Sequence, residues 1–360
     1  MNDTDMEIVF NHPVVQEDLQ NLMNSSLPLH KLENKCVLIT GATGMLASYL
    51  TYTLMYLNEK KGSGIRILLL ARNREKLVRQ FGDESDSMVY LVQDVCDEIA
   101  YSGKVHYVVH AAGAASPFHI LNDPVGIIRA NTVGTLNVME FARQNNAEKV
   151  VFMSTREVYG KADDREVLRE SDMGVVDPLN PRSCYPESKR VAETILKSYS
   201  IQHNMNFNTL RIAHAYGPGM PLENDGRVMS DLLNDAVSNR DIRLKSAGSV
   251  KRSFCYITDA IDAIYRVLLN GNSNEAINIA NQTESISILD LAKTIQTIAA
   301  NNKKVIAGEN DAPQPGYCNY KRTMLDTSRI EKLGWKPNVS LKEGIRKTID
   351  FYNYKTYDES

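Results

Sequence analysis

The 360-residue chain is 43% hydrophobic and 24% charged, the balance of a globular chain with one large α/β domain or a large and a small one. Lys and Arg total 41 against 44 Asp and Glu, a formal net charge of −3, so no basic groove and no nucleic-acid partner is implied. The longest aliphatic run, Ile67 to Ala71, is too short for a bilayer, and MNDTDMEIVF lacks the basic-then-apolar layout of a signal peptide; both predict a cytoplasmic protein with no membrane partner. Cys36, Cys96, Cys184, Cys255 and Cys318 form no CxxC or CxH pair, which argues against a zinc site or a disulfide framework and predicts reduced, mostly buried thiols.

Residues 1–34 read as a polar extension with one short amphipathic helix through Val14, Val15, Leu19 and Leu22. From Lys35 the runs CVLIT, IRILLL, MVYLV, YVVH, KVVFMS and NTLRI alternate with helix-length segments, the pattern of βαβ units and a parallel sheet. Leu46, Leu50, Leu54 and Leu57 mark one face of the first intervening helix, and Val191, Ile195 and Tyr199 one face of a later one. After Ile212 the chain turns to YGPGMPLENDG and then to helices and short strands. The expected architecture is a Rossmann-type, doubly wound parallel sheet over 35–212, with a smaller C-terminal substrate-binding domain over most of 213–360.

The first strand runs into GATGMLAS, where Gly41 and Gly44 permit a tight turn and let a pyrophosphate approach a helix amino terminus, with Thr43, Met45 and Leu46 beside it. A bare strand-to-helix turn has the same outline; the position after the first strand favours dinucleotide binding. The second strand ends in Ala71, Arg72, Asn73, Arg74 with no carboxylate for an adenosine ribose. Arg72 there suits a 2′-phosphate, which favours NADP over NAD; a solvated loop charge is the bland alternative. Asp94 and Val95 end the third strand, where they meet the adenine or where Asp94 merely caps a turn.

STREVYG at Ser154 to Gly160 and RSCYPESK at Arg182 to Lys189 carry the reaction chemistry. Tyr185 and Lys189 are one helical turn apart and share a face. A nearby ammonium is expected to lower the phenol's pKa, and Thr155 at a strand end reaches the same substrate oxygen, so together they accept a proton as an alcohol is oxidised. Glu157 reads either as a general base at a sugar C5 or as a partner for Arg156 or another cation. His110 and His119 read as structural.

With these residues in order, the chain from about Asn34 to Tyr352 resembles the extended short-chain dehydrogenase/reductases that act on nucleotide sugars. HAAGAASP at His110, the ANTVGT run, YGPG at Tyr216, NDGRV at Asn224 and KRSFCYITD add to the match. PRSCYPESKRVAE at Pro181 to Glu193 is most similar to the UDP-glucuronate decarboxylases. The resemblance implies NAD or NADP against Ala111, Ala112, Gly113, Asn131, Tyr185 and Lys189. It also implies a nucleotide-diphosphate sugar near Ser116, Arg156, His214, Arg227 and Arg252, and a homodimer.

Arg156 stands where the decarboxylases carry serine and where dTDP-glucose dehydratases carry aspartate. His214 replaces a common asparagine, and Gly219 an arginine. The expected reaction is oxidation of the hexose at C4 followed by decarboxylation; 4,6-dehydration or C4 epimerisation is the alternative. A non-catalytic NADP-binding sensor is a reading of another class, which the intact Thr155, Tyr185 and Lys189 disfavour.

Overall fold

The computed structural model describes residues 9–162, 165–300, 302–310 and 324–354; Cys318 lies outside them. Seven strands, β1 (Cys36–Thr40), β2 (Arg66–Ala71), β3 (Met88–Val92), β4 (Tyr107–His110), β5 (Lys149–Thr155), β6 (Phe207–Ile212) and β7 (Glu275–Ile279), form one sheet in the order β7-β6-β5-β4-β1-β2-β3. Every pairing is parallel. Both faces are covered, which is why these strands read as continuous apolar runs. Val37, Ile39, Val109 and Val151 join the core on one face, while Leu38, Val108, Val150 and Phe152 join the other, the period-two alternation of a strand.

The order reverses at β1, which pairs with β2 on one side and β4 on the other. A crevice opens at the carboxyl edge of such a reversal, and ligands of doubly wound sheets bind there. α2 (Met45–Lys61) follows β1, α3 (Arg74–Phe81) follows β2, α4 (Pro117–Asn122) and α5 (Pro124–Gln144) follow β4, and α6 (Cys184–His203) follows β5.

Beyond Ile212 come α7 (Val228–Val237), α8 (Ile257–Asn270), α9 (Ile288–Ile298) and a helix at Leu341–Asn353. This half does more than cover the sheet's mouth: α8, buried from Ile257 to Leu269, leads into β7, which adds the seventh strand. A sequence reading stopping at NTLRI misses it because EAINI is short and flanked by polar residues. The expected amphipathic helix near the amino end is α1 (Pro13–Met23). Its Val15, Leu19 and Leu22 are buried in the main core, so the segment is packed in rather than laid alongside.

On α6 the buried face is Ala192 and Leu196, whereas Val191 is exposed and Ile195 and Tyr199 are half-buried. The buried face therefore lies one residue on from the expected stripe, with Ala192 and Leu196 joining the core on one side of the sheet. Of the four described cysteines, Cys36 and Cys255 are buried and Cys96 and Cys184 half-buried, all free thiols.

Candidate active site

β1 ends at Thr40 and turns through Gly41 at φ +64°, where a Cβ would stand 2.7 Å from the backbone N and Cα of Ala112. Only glycine permits that approach between the β1 and β4 loops. The Gly44 amide donates to the Gly41 carbonyl at 2.9 Å, folding the turn so that α2 begins at Met45. No side chain caps α2, so the amides of its first turn, including Met45 and Leu46, remain for an anion. Gln80 Nε2 donates to the Thr43 carbonyl at 3.3 Å, and the Ala112 amide to Thr40 Oγ1 at 3.2 Å.

Gly113 lies at φ +135°, and a Cβ there would stand 2.6 Å from Asn131 Oδ1 and 3.6 Å from Lys189 Nζ. Asn131 is fully buried; its Nδ2 donates to Ser188 Oγ at 3.0 Å, while Oδ1 has no hydrogen-bond partner. A buried acceptor left unsatisfied beside a glycine cradle needs a polar ligand group. Gly41, Gly113, Asn131 and the uncapped helix therefore fit a dinucleotide.

At the adenosine end the three expected residues make contacts of their own. Val95 is buried, and its side chain packs against Gly134 of α5, where a Cβ would come within 2.7 Å of it. Asp94 caps a turn through the Cys96 amide at 2.9 Å, which holds its carboxyl below the ordinary range. Arg72, with a side chain 79% exposed, stands 3.8 Å from Asp94 Oδ2.

Thr155 ends β5, and Tyr185 and Lys189 lie on the inner face of α6, all three buried. Thr155 Oγ1 accepts from the Glu157 amide at 3.2 Å, and the hydroxyl lies near enough to the Tyr185 phenol to favour its ionised form. Lys189 Nζ donates to the Met153 carbonyl at 2.8 Å and sits 4.4 Å from the centre of the Phe152 ring. Burial pushes the Lys189 amine down to about 7. The phenol is not lowered as the spacing suggested: burial, then the Glu157 charge, push Tyr185 up to about 12, against weaker opposite pulls from Thr155, Arg182 and Arg227. Desolvation penalises a phenolate more than those neighbours favour it, and the lysine is spent on a strand carbonyl.

Glu157 lies in the single turn Arg156–Tyr159 after β5. Its carboxylate is held bidentately by Arg182, with Nη2 to Oε1 at 2.7 Å and Nη1 to Oε2. The two side chains are only 14% and 15% exposed. Of the readings left open for Glu157, the cation partner is present, and it is Arg182; Arg156 is half-buried in the same turn. Arg227 is clamped by Asp225 at 2.6 and 3.0 Å and bears on Tyr185 electrostatically.

Ser116 caps α4 and lies 2.8 Å from His119 Nδ1. His110 sits between Thr40 Oγ1 at 2.8 Å and Thr135 Oγ1 at 3.1 Å, so both histidines have structural contacts. His214 adopts φ +46°, a left-handed conformation that asparagine tolerates well, with Nδ1 3.1 Å from the Ser253 carbonyl. Arg252 lies on the short strand Lys251–Ser253.

Sequence reasoning passed over Arg182 and Glu193. Arg182 is three residues before Tyr185 in the same motif. Glu193 is four after Lys189 on the same helix face, and accepts from Ser154 Oγ at 2.6 Å, Thr209 Oγ1 at 2.8 Å and Arg211 Nη2 at 2.7 Å, pinning the strand end that carries Thr155.

A Rossmann sheet with this glycine turn after β1 and a Thr–Tyr–Lys set at the carboxyl end of β5 and on α6 defines a short-chain dehydrogenase/reductase of the extended type. The chain belongs to the NAD dependent epimerase/dehydratase family, whose profile matches residues 37–280. It is 33% identical over 316 residues to UDP-glucuronic acid decarboxylase 3 of Arabidopsis thaliana, covering 87% of each chain. To UDP-glucuronic acid decarboxylase 1 of Xenopus tropicalis it is 30% identical, over 94% of this chain and 78% of that one. Its fold is similar to that of the UDP-glucose 4-epimerase of Thermotoga maritima, with TM-score 0.73, 21% identity, and 88% and 98% of the two chains covered. It is likewise similar to a dTDP-glucose 4,6-dehydratase of Streptomyces venezuelae solved with NAD, at TM-score 0.72, 21% identity, and 88% and 96% coverage.

Proposed function

We propose that this enzyme decarboxylates UDP-glucuronate through a C4 ketone. One observation favours this over dehydration: the carboxylate beside Tyr185 is held by the Arg182 guanidinium. Dehydration must first remove the C5 proton, and a carboxylate in a bidentate ion pair is a weak base for that step. Decarboxylation needs no such base. The decarboxylase names of the sequence relatives support the same reading.

Tyr185, with Thr155 on the same oxygen, takes the C4 hydroxyl proton. NAD held against Gly41, Gly113 and Asn131 would supply a reversible acceptor for the C4 hydride and a positive ring charge that favours the phenolate. The C4 ketone then lies β to the C6 carboxylate. The C5–C6 bond breaks, its electron pair passes into the carbonyl as CO2 leaves, and C5 takes up a proton, for which Glu157 is the proposed donor. Gly41, Thr43, Gly44, Met45, Leu46, Ala111, Ala112, Gly113 and Asn131 are the proposed cofactor contacts. Ser116, Arg156, His214, Arg227 and Arg252 are proposed for the substrate.

NAD is the proposed cofactor. Use of NADP is a second reading, favoured by the exposed Arg72 at the end of β2. A second copy of the chain is the proposed partner: Val125, Ile128 and Leu136 on α5 and Val191 on α6 are exposed, an apolar face suited to pairing.

Mass spectrometry of the products from UDP-glucuronate, UDP-glucose, dTDP-glucose and GDP-mannose tests the reaction. CO2 and a UDP-pentose from UDP-glucuronate are expected. A 4-keto-6-deoxy product from a neutral hexose, with no CO2 from UDP-glucuronate, overturns the assignment. Tyr185→Phe is expected to cut turnover by about 10²- to 10⁴-fold, the worth of a positioned proton acceptor, with the cofactor retained.

A further inference from the structure

The Arg182–Glu157 pair joins two elements that the chain brings together only at the reaction centre. Arg182 lies in the turn Pro181–Ser183 that opens α6, three residues before Tyr185, and Glu157 lies in the turn that closes β5. Both charges act on the Tyr185 phenol, Glu157 raising its pKa and Arg182 lowering it. The guanidinium thus sits in the turn that runs straight into the helix carrying Tyr185, the residue that engages the sugar's C4 oxygen, one carbon from C5. Its planar fork matches a carboxylate bidentately, and it makes no distinction between a glutamate and a uronic acid of the same charge and shape.

We propose that Arg182 is the specificity-determining residue for the sugar's carboxylate, and that it acts by exchange: the guanidinium releases Glu157 and takes the C6 carboxylate in its place. This extends the decarboxylase reading and rests on it for the identity of the acid. Exchange has a second consequence. A carboxylate that loses its guanidinium holds a proton more readily, so binding of the acidic sugar prepares Glu157 to protonate C5. CO2 leaves with the C5–C6 bond cleaved, the electron pair rests on the C4 oxygen as an enolate, C5 takes the proton from Glu157, and Glu157 recovers one from water. A neutral hexose displaces nothing and leaves Glu157 in its ion pair.

Calorimetric Kd values for UDP-glucuronate and UDP-glucose, measured on the NAD-loaded protein, test the exchange without requiring turnover. Arg182→Met is expected to weaken UDP-glucuronate by about 10- to 100-fold and to leave UDP-glucose within about twofold, the range for losing a charge-assisted pair. Arg182→Lys is expected to recover part of that loss, since it keeps the charge without the fork. Glu157→Gln removes the internal competitor, so UDP-glucuronate is expected to bind several-fold more tightly; a purely structural pair predicts weaker binding of both sugars. Equal losses for the two sugars in Arg182→Met, or unchanged affinity for both, overturns the exchange. CO2 release by the unmodified protein is scored separately. If the Kd pattern appears without CO2, the decarboxylase reading falls while Arg182 remains the carboxylate receptor.

Discussion

At the end of β2, Arg72 is the residue through which use of NADP can be tested. Its guanidinium lies 3.8 Å from Asp94 Oδ2 with the side chain 79% exposed, an ion pair that contributes little in water. A ribose 2′-phosphate would find the arginine available but would also meet the Asp94 charge. If Arg72 reads the phosphate, Arg72→Ala weakens NADP binding by about 1.5–3 kcal/mol and leaves NAD unchanged; equal effects on both cofactors, measured by fluorescence titration, discard that role. Residue chemistry was legible in the sequence where spacing fixes it. Tyr185 and Lys189 share a helix face because they are four apart, and Thr155 ends a strand because the apolar run stops there. The direction of the Tyr185 shift was not legible, because it depends on how deeply the ring is buried and on where the Lys189 amine finds its hydrogen bond. Arg182 was hidden for a related reason: an arginine ahead of a helix reads as a solvated charge until the chain folds Glu157 against it.

At the scale of elements, His110 ties β1, β4 and α5 together through the hydroxyls of Thr40 and Thr135. Burial, with a smaller contribution from the Lys189 charge, pushes its pKa down to about 3 from the ordinary 6.5. The folded protein thus keeps this imidazole neutral, while the unfolded chain takes up a proton below pH 6.5, so stability falls as the pH drops from 6.5 toward 3. At pH 5 the linkage amounts to about 2 kcal/mol. Urea denaturation from pH 7 to pH 4.5 is expected to show this loss in the native sequence and a shallower dependence in His110→Gln; parallel slopes in the two proteins remove His110 as the cause. The strands themselves were readable because both faces of a parallel sheet are buried and the runs are apolar throughout. β7 was not, since its place is set by pairing with β6 rather than by its own pattern. The α6 face was misread by one position for a similar reason: Ala192 and Leu196 join a core shared with the sheet, and no periodicity in α6 alone reveals where that core lies.

Across the whole molecule, the segment before β1 is bound in by a buried charge. Asp18 of α1 is 1% exposed and accepts from Lys347 Nζ at 2.8 Å, Tyr256 Oη at 2.8 Å and Tyr49 Oη at 3.1 Å. One carboxylate therefore joins α1, α2, the residue that opens α8 and the helix Leu341–Asn353, elements spread over more than 300 positions of sequence. Hydropathy alone presents α1 as an appendage, since Asp18 beside Glu17 in PVVQEDLQNLM reads as part of a solvated face rather than the centre of a network. Taking two charges from water costs nearly as much as their attraction returns, so the pair adds little compared with an apolar substitute; removing one partner is different, because it strands the other. Lys347→Met is accordingly expected to destabilise the protein by about 3–5 kcal/mol. Asp18→Asn combined with Lys347→Met is expected to recover much of that loss, since the amide oxygen still accepts from both tyrosines and no charge is left buried. Urea midpoints for the single and double variants check this. A double variant as unstable as Lys347→Met alone would mean that α1 is held by the packing of Val15, Leu19 and Leu22, with the Asp18 charge contributing nothing to its attachment.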